Sequence, residues 1–332
     1  MFRRLTITMT MLLALFAAQA AQGPSKPLFG FAVEGLPTRS DVTSLEKTTG
    51  VRPRLVSFYL QWPSDPEKGV FPGGALRSIE SSGALPVLTW EPKFVDSEKH
   101  ESTISAESIV AGKYDNYLRR FAAESRQWNK PYLIRFAHEM NLATYHWGSN
   151  AQEFGPDSVT KYRLMFRHVV EVFRTERANN ARWVFCPNAD SVPAAAWNQI
   201  GSYYPGDDVV DIIGLDGYNW GRTQSRAKNG WDSEWRSFDS IFSGPLRELK
   251  QTAPAKPAAV FETSSASEGG NKEQWIFAAL DSAQSLGLVA LVWFEVNKEI
   301  DWRLDTTTAV RSAIESQSPP TYPLSALLTR RR

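Results

Sequence analysis

The sequence predicts a single (β/α)₈ TIM barrel, and three observations predict it. Short runs rich in aliphatic and β-branched residues alternate strictly with helical patterns, eight of each. Those runs are apolar on both faces, as strands of a parallel sheet covered on both sides must be. The glycines after the first run, Gly30 and Gly35, do not spell the Gly-x-Gly-x-x-Gly turn that a doubly wound open sheet would normally carry.

The predicted strands are Leu28–Val33, Leu55–Leu60, Leu85–Trp90, Tyr132–Ala137, Arg182–Cys186, Val209–Leu215, Ala258–Glu262 and Leu288–Phe294. The helices between and after them are Asp41–Thr49, Gly74–Ser82, Tyr114–Trp128, Ser158–Asn179, Ala194–Ile200, Ser233–Lys250, Lys272–Leu286 and Thr306–Glu315. Residues 28–317 show no linker-like shift in composition and no short-period repeat, so one domain over residues 21–318 is expected.

Residues 1–20 read as a signal peptide. Arg3 and Arg4 form its positive start, Leu5 to Ala17 its apolar stretch, and Ala18-Gln19-Ala20 a small-x-small cleavage site. The apolar stretch falls short of the ~20 residues a membrane span needs. Export to the periplasm or medium follows, with no stable membrane insertion after cleavage. Residues 319–332, which open on a Pro pair and close on three arginines, are expected to form a flexible tail.

Composition excludes several classes. The 332 residues are 42% hydrophobic and 22% charged, which is a globular balance. With 37 Lys and Arg against 36 Asp and Glu, the net charge of +1 offers no field for nucleic acid. The single cysteine, Cys186, excludes an internal disulfide and a cysteine zinc cluster, and reads as a buried small hydrophobe. His138-Glu139 opens like a zinc-protease signature, but Leu142 stands where the second His is needed. Neither a Walker A loop nor a Gly-x-Ser-x-Gly elbow occurs. No cofactor and no metal are expected.

In such a barrel, function sits at the C-terminal ends of the strands. The polar residues there are Glu34, Glu91, Arg135, His138, Glu139, Asn141, Asn188, Asp190, Asp216, Tyr218, Asn219, Glu262 and Glu295. Carboxylates dominate, and two carboxyls flanking a bond suit glycoside hydrolysis. Trp62, Trp90, Trp147, Trp220, Trp293 and Trp302 also fall at or beyond strand ends, where an indole could pack on the CH-rich face of a pyranose. Arg135 and Glu139 are four apart, so an extended strand would aim both at the axis. Arg135 is then either a structural ion pair or a charge that tunes a carboxylate. Asn188 is either a hydroxyl ligand or a loop residue. Glu91, Asp216 and Glu295 are expected in supporting roles.

Arg135-Phe136-Ala137-His138-Glu139-Met140-Asn141 resembles the acid/base segment of glycoside hydrolase family 26, the β-mannanase family. The resemblance continues through Tyr145 and Trp147, through Arg182 to Asn188, and through Tyr204 to Tyr218. It also takes in Lys256 to Glu262, and Trp293 to Arg303. It implies a retaining enzyme with Glu139 as acid/base on strand four and Glu262 as nucleophile on strand seven, about 5–5.5 Å apart. It further implies that His138 holds the substrate or the acid/base, that Tyr218 hydrogen-bonds the nucleophile, and that Trp293 is the platform under the sugar. Trp147, Trp90 and Asn188 complete the expected substrate contacts.

Three positions depart from the family pattern: Leu142 and Thr144, where Gly and an aromatic are usual, and His146, where Pro is common. The expected activity is endo-β-1,4-mannanase on a polysaccharide, by a monomer. A β-glucanase, a xylanase, an exopolysaccharide-processing hydrolase or a non-cutting polysaccharide-binding barrel are the alternatives.

Overall fold

A computed structural model describes residues 26–328, apart from 97, 99, 146, 148–152, 305 and 317–323. Eight strands close into one parallel barrel: β1 (Leu28–Ala32), β2 (Leu55–Gln61), β3 (Leu85–Glu91), β4 (Tyr132–Phe136), β5 (Ala181–Phe185), β6 (Ile212–Asn219), β7 (Ala258–Ser265) and β8 (Ala290–Phe294). Each strand pairs with its neighbour in sequence, and β8 closes on β1. The predicted fold is the observed one. The predicted signal peptide and His146 lie outside the described residues.

Strand period places alternate residues inside the barrel. Along β2 these are Leu55, Ser57 and Tyr59; along β3, Leu85, Val87, Thr89 and Glu91; along β6, Ile212, Gly214, Asp216 and Tyr218. The interior is therefore apolar at the strand starts, where Leu28, Leu55, Leu85 and Leu133 pack together. It turns polar toward the strand ends. The other face of each strand carries the larger apolar layer that packs beneath the helices.

One irregularity positions a key residue. Against β6, Leu215 pairs with Val260 but Asp216 pairs with Glu262. Against β8, Leu291 pairs with Val260 and Trp293 with Thr263. Both neighbours thus see one extra residue in β7 at Phe261–Glu262, a β-bulge that re-aims the following side chains. Phe261 belongs to the barrel interior. Gly214 makes room for it, since a Cβ there would lie 2.5 Å from the Phe261 ring. Because of the extra residue, Glu262 also faces the axis rather than the helix layer.

Three expectations need correction. After β5 there is no α-helix at residues 194–200; two 3₁₀ turns, Ala196–Asn198 and Ile200–Tyr203, replace it. Asn198 is the cause. Its Nδ2 donates to the Asn141 and Pro193 carbonyls, both at 2.9 Å, and its Oδ1 accepts from the Tyr203 hydroxyl at 2.7 Å. Such side-chain bonds to backbone compete with helix. The first helix starts at Arg39 rather than Asp41, because Thr38 and Asp41 form a capping box. Finally, the expected loose tail contains a short helix, Leu324–Leu328. Leu327 is buried with the leucines of the strand starts, and Arg182 donates twice to the Leu328 carbonyl, at 2.8 and 2.6 Å. This apolar turn covers the barrel floor, which otherwise would face solvent.

An antiparallel hairpin, Lys93–Val95 with Glu101–Thr103, leaves the end of β3 and was not predicted. It matters because it brings Lys93 to the site.

Candidate active site

Glu262 is held on both carboxylate oxygens. Tyr218 donates to Oε2 at 2.6 Å and Tyr59 to Oε1 at 2.5 Å, while Arg135 Nη2 also donates to Oε1. Arg135 has no exposed surface. Its Nη1 reaches Asp216, and its Nε and Nη2 donate to Thr89 Oγ1 at 3.0 and 2.8 Å. The buried guanidinium thus bridges two carboxylates, with every face of its fork engaged. Of the two roles that the sequence left open for Arg135, the structure shows the buried ion pair. Asp216 also accepts the Cys186 thiol, at 3.3 Å, and burial pushes that thiol's pKa well up. Cys186 is therefore an inert core group, as expected.

Glu139 follows β4 on a backbone in the left-handed region, with φ of 52°, two residues after Ala137 at 48°. Such angles cost on the order of 1–3 kcal/mol for non-glycine residues and persist only when their surroundings enforce them. Here the Ala137 amide donates to the Trp90 carbonyl at 3.0 Å, and the Glu139 amide to the Cys186 carbonyl at 2.8 Å. The two flanking strands clamp the segment. Asn141 anchors it from the far side through the Asn188 carbonyl, Asn188 amide and Ser191 hydroxyl.

Burial raises the Glu139 pKa to about 7, and the nearby Glu262 carboxylate adds to the rise. Asn188 Nδ2 donates to Glu139 Oε1 at 2.7 Å and opposes it. Near neutral pH Glu139 is therefore poised between acid and base, opposite a carboxylate paired with an arginine. Asn188, expected to contact substrate, thus contacts Glu139.

His138 is buried, and burial together with the Arg135 charge lowers its pKa well below 6.5, so its ring is neutral. Among the described residues its Nδ1 has no hydrogen-bond partner. Together with Asp216 and Glu262 it forms a set of atoms within 4.8 Å of one another that could in principle ligate a metal. The guanidinium of Arg135 already sits against both carboxylates, so a cation held by this donor set would meet a positive charge in contact with two of its three ligands, and the set does not fit one.

The aromatic expectations divide. Trp90 and Trp293 do not offer a face to a sugar. Thr89 and Glu91 point inward on β3, and Val292 and Phe294 on β8, so the indoles between them point outward. Trp90 stacks on Phe121 at 4.4 Å, and Trp293 lies edge-on to Trp275 at 6.0 Å. Trp62 is likewise buried behind the barrel. Trp147 is fully buried; its Nε1 donates to the His138 carbonyl and its ring stacks beneath Tyr145 at 5.2 Å. It holds the loop that carries Glu139 instead of contacting solvent.

Partly open rings at the site are Tyr59, Tyr145, Tyr218 and Trp220. Trp302 packs between Tyr218 and Trp220, at 5.0 and 4.8 Å. Tyr59 and Thr89 were missed by sequence reasoning, although both lie on inward positions of their strands. Of the supporting carboxylates, Glu91 pairs with Lys93 at 3.4 Å, and Glu295 accepts from the Leu304 amide at 2.8 Å. Burial raises the pKa of both.

Known proteins share the sequence and the fold of this chain. A sequence profile for glycosyl hydrolase family 26 matches residues 98–239. The chain is 34% identical over 288 residues to endoglucanase H of Acetivibrio thermocellus, a match over 85% of this chain but only 30% of that longer protein. It is 22% identical over 161 residues to a mannan endo-1,4-beta-mannosidase of Bacillus subtilis, covering 44% of this chain and 43% of the relative. Among solved structures, a family 26 β-mannanase from Bacteroides ovatus superposes with a TM-score of 0.60 at 19% identity, covering 95% of each chain, which shows the shared fold. The barrel, the ordered residues on β4 to β8 and the profile match converge: the chain belongs to glycosyl hydrolase family 26.

Proposed function

We propose that the protein is an exported, retaining, endo-acting β-glycoside hydrolase whose catalytic domain spans residues 21–318 and whose substrate is a β-linked polysaccharide. The observation that carries the reading is the pairing of Glu139 with Glu262. One carboxyl is buried with its pKa raised to about 7, and the other is held by two tyrosines and an arginine.

Glu262 attacks the anomeric carbon while Glu139 gives its proton to the glycosidic oxygen. The resulting glycosyl ester is then hydrolysed by water, with Glu139 accepting the water's proton. His138, neutral and with no partner for its Nδ1 among the described residues, is suited to a sugar hydroxyl. Trp220, half-buried and met edge-on by Trp231 and Trp302, is suited to stacking on a sugar. The reaction needs no cofactor, and a monomer carries every residue named.

β-1,4-Mannan is the first substrate reading, supported by the mannosidases among the relatives. A β-glucan is the second, favoured by the endoglucanase similarity that runs through 85% of this chain and by the altered loop at Leu142 and Thr144. Export rests on the sequence of residues 1–20. Among the described residues no helix is long and apolar enough to cross a membrane.

Reducing-end release from galactomannan, glucomannan, barley β-glucan and carboxymethylcellulose, run beside Glu262→Ala, tests the reading. Release by wild type and none by the variant supports it, and the glycan cleaved fastest fixes the substrate. No release from any of these glycans would overturn the hydrolase reading for them. A variant as active as wild type would overturn the role of Glu262.

A further inference from the structure

The donors around Glu262 are distributed unevenly. Among the described residues Oε1 receives two, the Tyr59 hydroxyl at 2.5 Å and the Arg135 guanidinium, whereas Oε2 receives the Tyr218 hydroxyl alone, at 2.6 Å. Tyr59 reaches its oxygen from β2, across the barrel from β7, and its ring lies 5.9 Å from the Arg135 guanidinium carbon. A side chain on the opposite wall can hold a carboxylate rotamer that its own strand cannot. The two oxygens are therefore not equivalent before substrate arrives.

We propose that Tyr59 is a positioning residue which, with Arg135, reserves Oε1 as the spectator oxygen of Glu262, so that Oε2 forms the bond to the sugar. This rests on the reading of Glu262 as nucleophile. In the first step the C1–Oε2 bond forms as the glycosidic C1–O bond breaks, and the Glu139 proton leaves with the departing oxygen. Oε1 becomes the ester carbonyl oxygen and keeps both donors. Tyr218 loses its carboxylate partner as Oε2 bonds to carbon. In the second step the C1–Oε2 bond breaks as water attacks C1, and negative charge returns to the carboxylate.

The Tyr59 hydroxyl favours the charged carboxylate over the ester. It therefore speeds the second step, where charge returns, and does not speed the first, where charge is consumed. Burial and the neighbouring Glu262 charge push its own pKa up, which keeps it a donor at working pH.

The test is Tyr59→Phe assayed on 2,4-dinitrophenyl β-cellobioside and the corresponding β-mannobioside, whose leaving group makes the first step fast. Removal of the hydroxyl is expected to lower kcat about tenfold to a hundredfold, in line with the loss of one preorganised donor. KM should fall with it, so kcat/KM changes by less than about threefold, and a burst of one dinitrophenolate per enzyme should precede the steady state. Tyr218→Phe is the contrast: its donor sits on the attacking oxygen, and it should not produce the same parallel fall.

Equal falls of kcat and kcat/KM without a burst, or unchanged kinetics, overturn the proposal. Thermal unfolding of the Phe variant separates either result from misfolding, because a merely structural loss moves Tm without a burst. The underlying assignment is read separately: Glu262→Ala with azide should give an α-glycosyl azide from the same substrate. If it does not, the reading of the nucleophile fails whatever Tyr59 does.

Discussion

Arg135 Nη2 donates to Glu262 Oε1 from a guanidinium with no exposed surface, and the same guanidinium binds Asp216 through Nη1. One cation therefore serves two buried carboxylates, one of them the proposed nucleophile. Removing it leaves both uncompensated. Arg135→Ala is expected to cost about 3–5 kcal/mol of folding stability, measured by urea unfolding. Arg135→Lys keeps the charge but loses the fork, so it should retain more stability while its kcat falls at least tenfold. Equal stability of the alanine variant and wild type would contradict the bridging role.

The pH profile follows from Glu139. Its carboxyl must be protonated to assist departure, and its pKa is raised to about 7. Activity is therefore expected to decline as pH rises through about 7. Asn188 donates to that carboxyl and lowers its pKa, so Asn188→Ala should move this basic limb to higher pH. A limb that stays in place or moves down refutes the assignment.

The same carboxyl makes stability depend on pH. Its folded pKa exceeds its unfolded value, so the folded state binds more protons between about 4.5 and 7. Its favourable contribution is complete below the unfolded value and is lost as pH rises through the folded one. Glu139→Gln removes this dependence. Relative to wild type, the variant should gain stability from pH 5 to pH 8, by at most about 3 kcal/mol. Paired unfolding curves at the two pH values measure the difference.

Substitution of the aromatics should split by the face on which each lies. Trp90→Ala and Trp293→Ala empty sites behind the barrel and should cost about 3–5 kcal/mol of stability. Trp220→Ala should raise KM for polysaccharide several-fold, with a smaller loss of Tm than Trp90→Ala or Trp293→Ala. A large KM effect from the conservative Trp293→Phe, with Tm intact, would restore that residue to the substrate.

Much of this was legible in the sequence. The barrel and the order of its strands came from periodicity; Glu139, Glu262 and Tyr218 were singled out by the resemblance that one run of residues and its ordered companions carry, and the fold brings these three side chains together. What failed did so for identifiable reasons. Trp90 and Trp293 were placed correctly along their strands but on the wrong face, although strand period already makes Thr89 and Glu91 inward and Trp90 outward. Tyr59 was overlooked because it lies far from any motif; its inward phase after Leu55 and Ser57 was the available signal. The 3₁₀ turns after β5 could not be read from local propensity, because the Asn198 side chain decides them through distant carbonyls. The bulge in β7 has no signature in composition, since it shows only as a register shift against β6 and β8.

That bulge makes the barrel wall beneath the Glu262 carboxyl sensitive to the number of residues before Glu262 more than to their identity. Val260 or Ala259 can be exchanged for another aliphatic with modest repacking. Losing either one would use up the extra residue: Glu262 would keep its place opposite Asp216, and Phe261 would give up its place in the barrel interior beneath it. The spare residue thus puts two consecutive side chains on the inner wall, one filling the interior and the next carrying the carboxyl, which a regular strand cannot do.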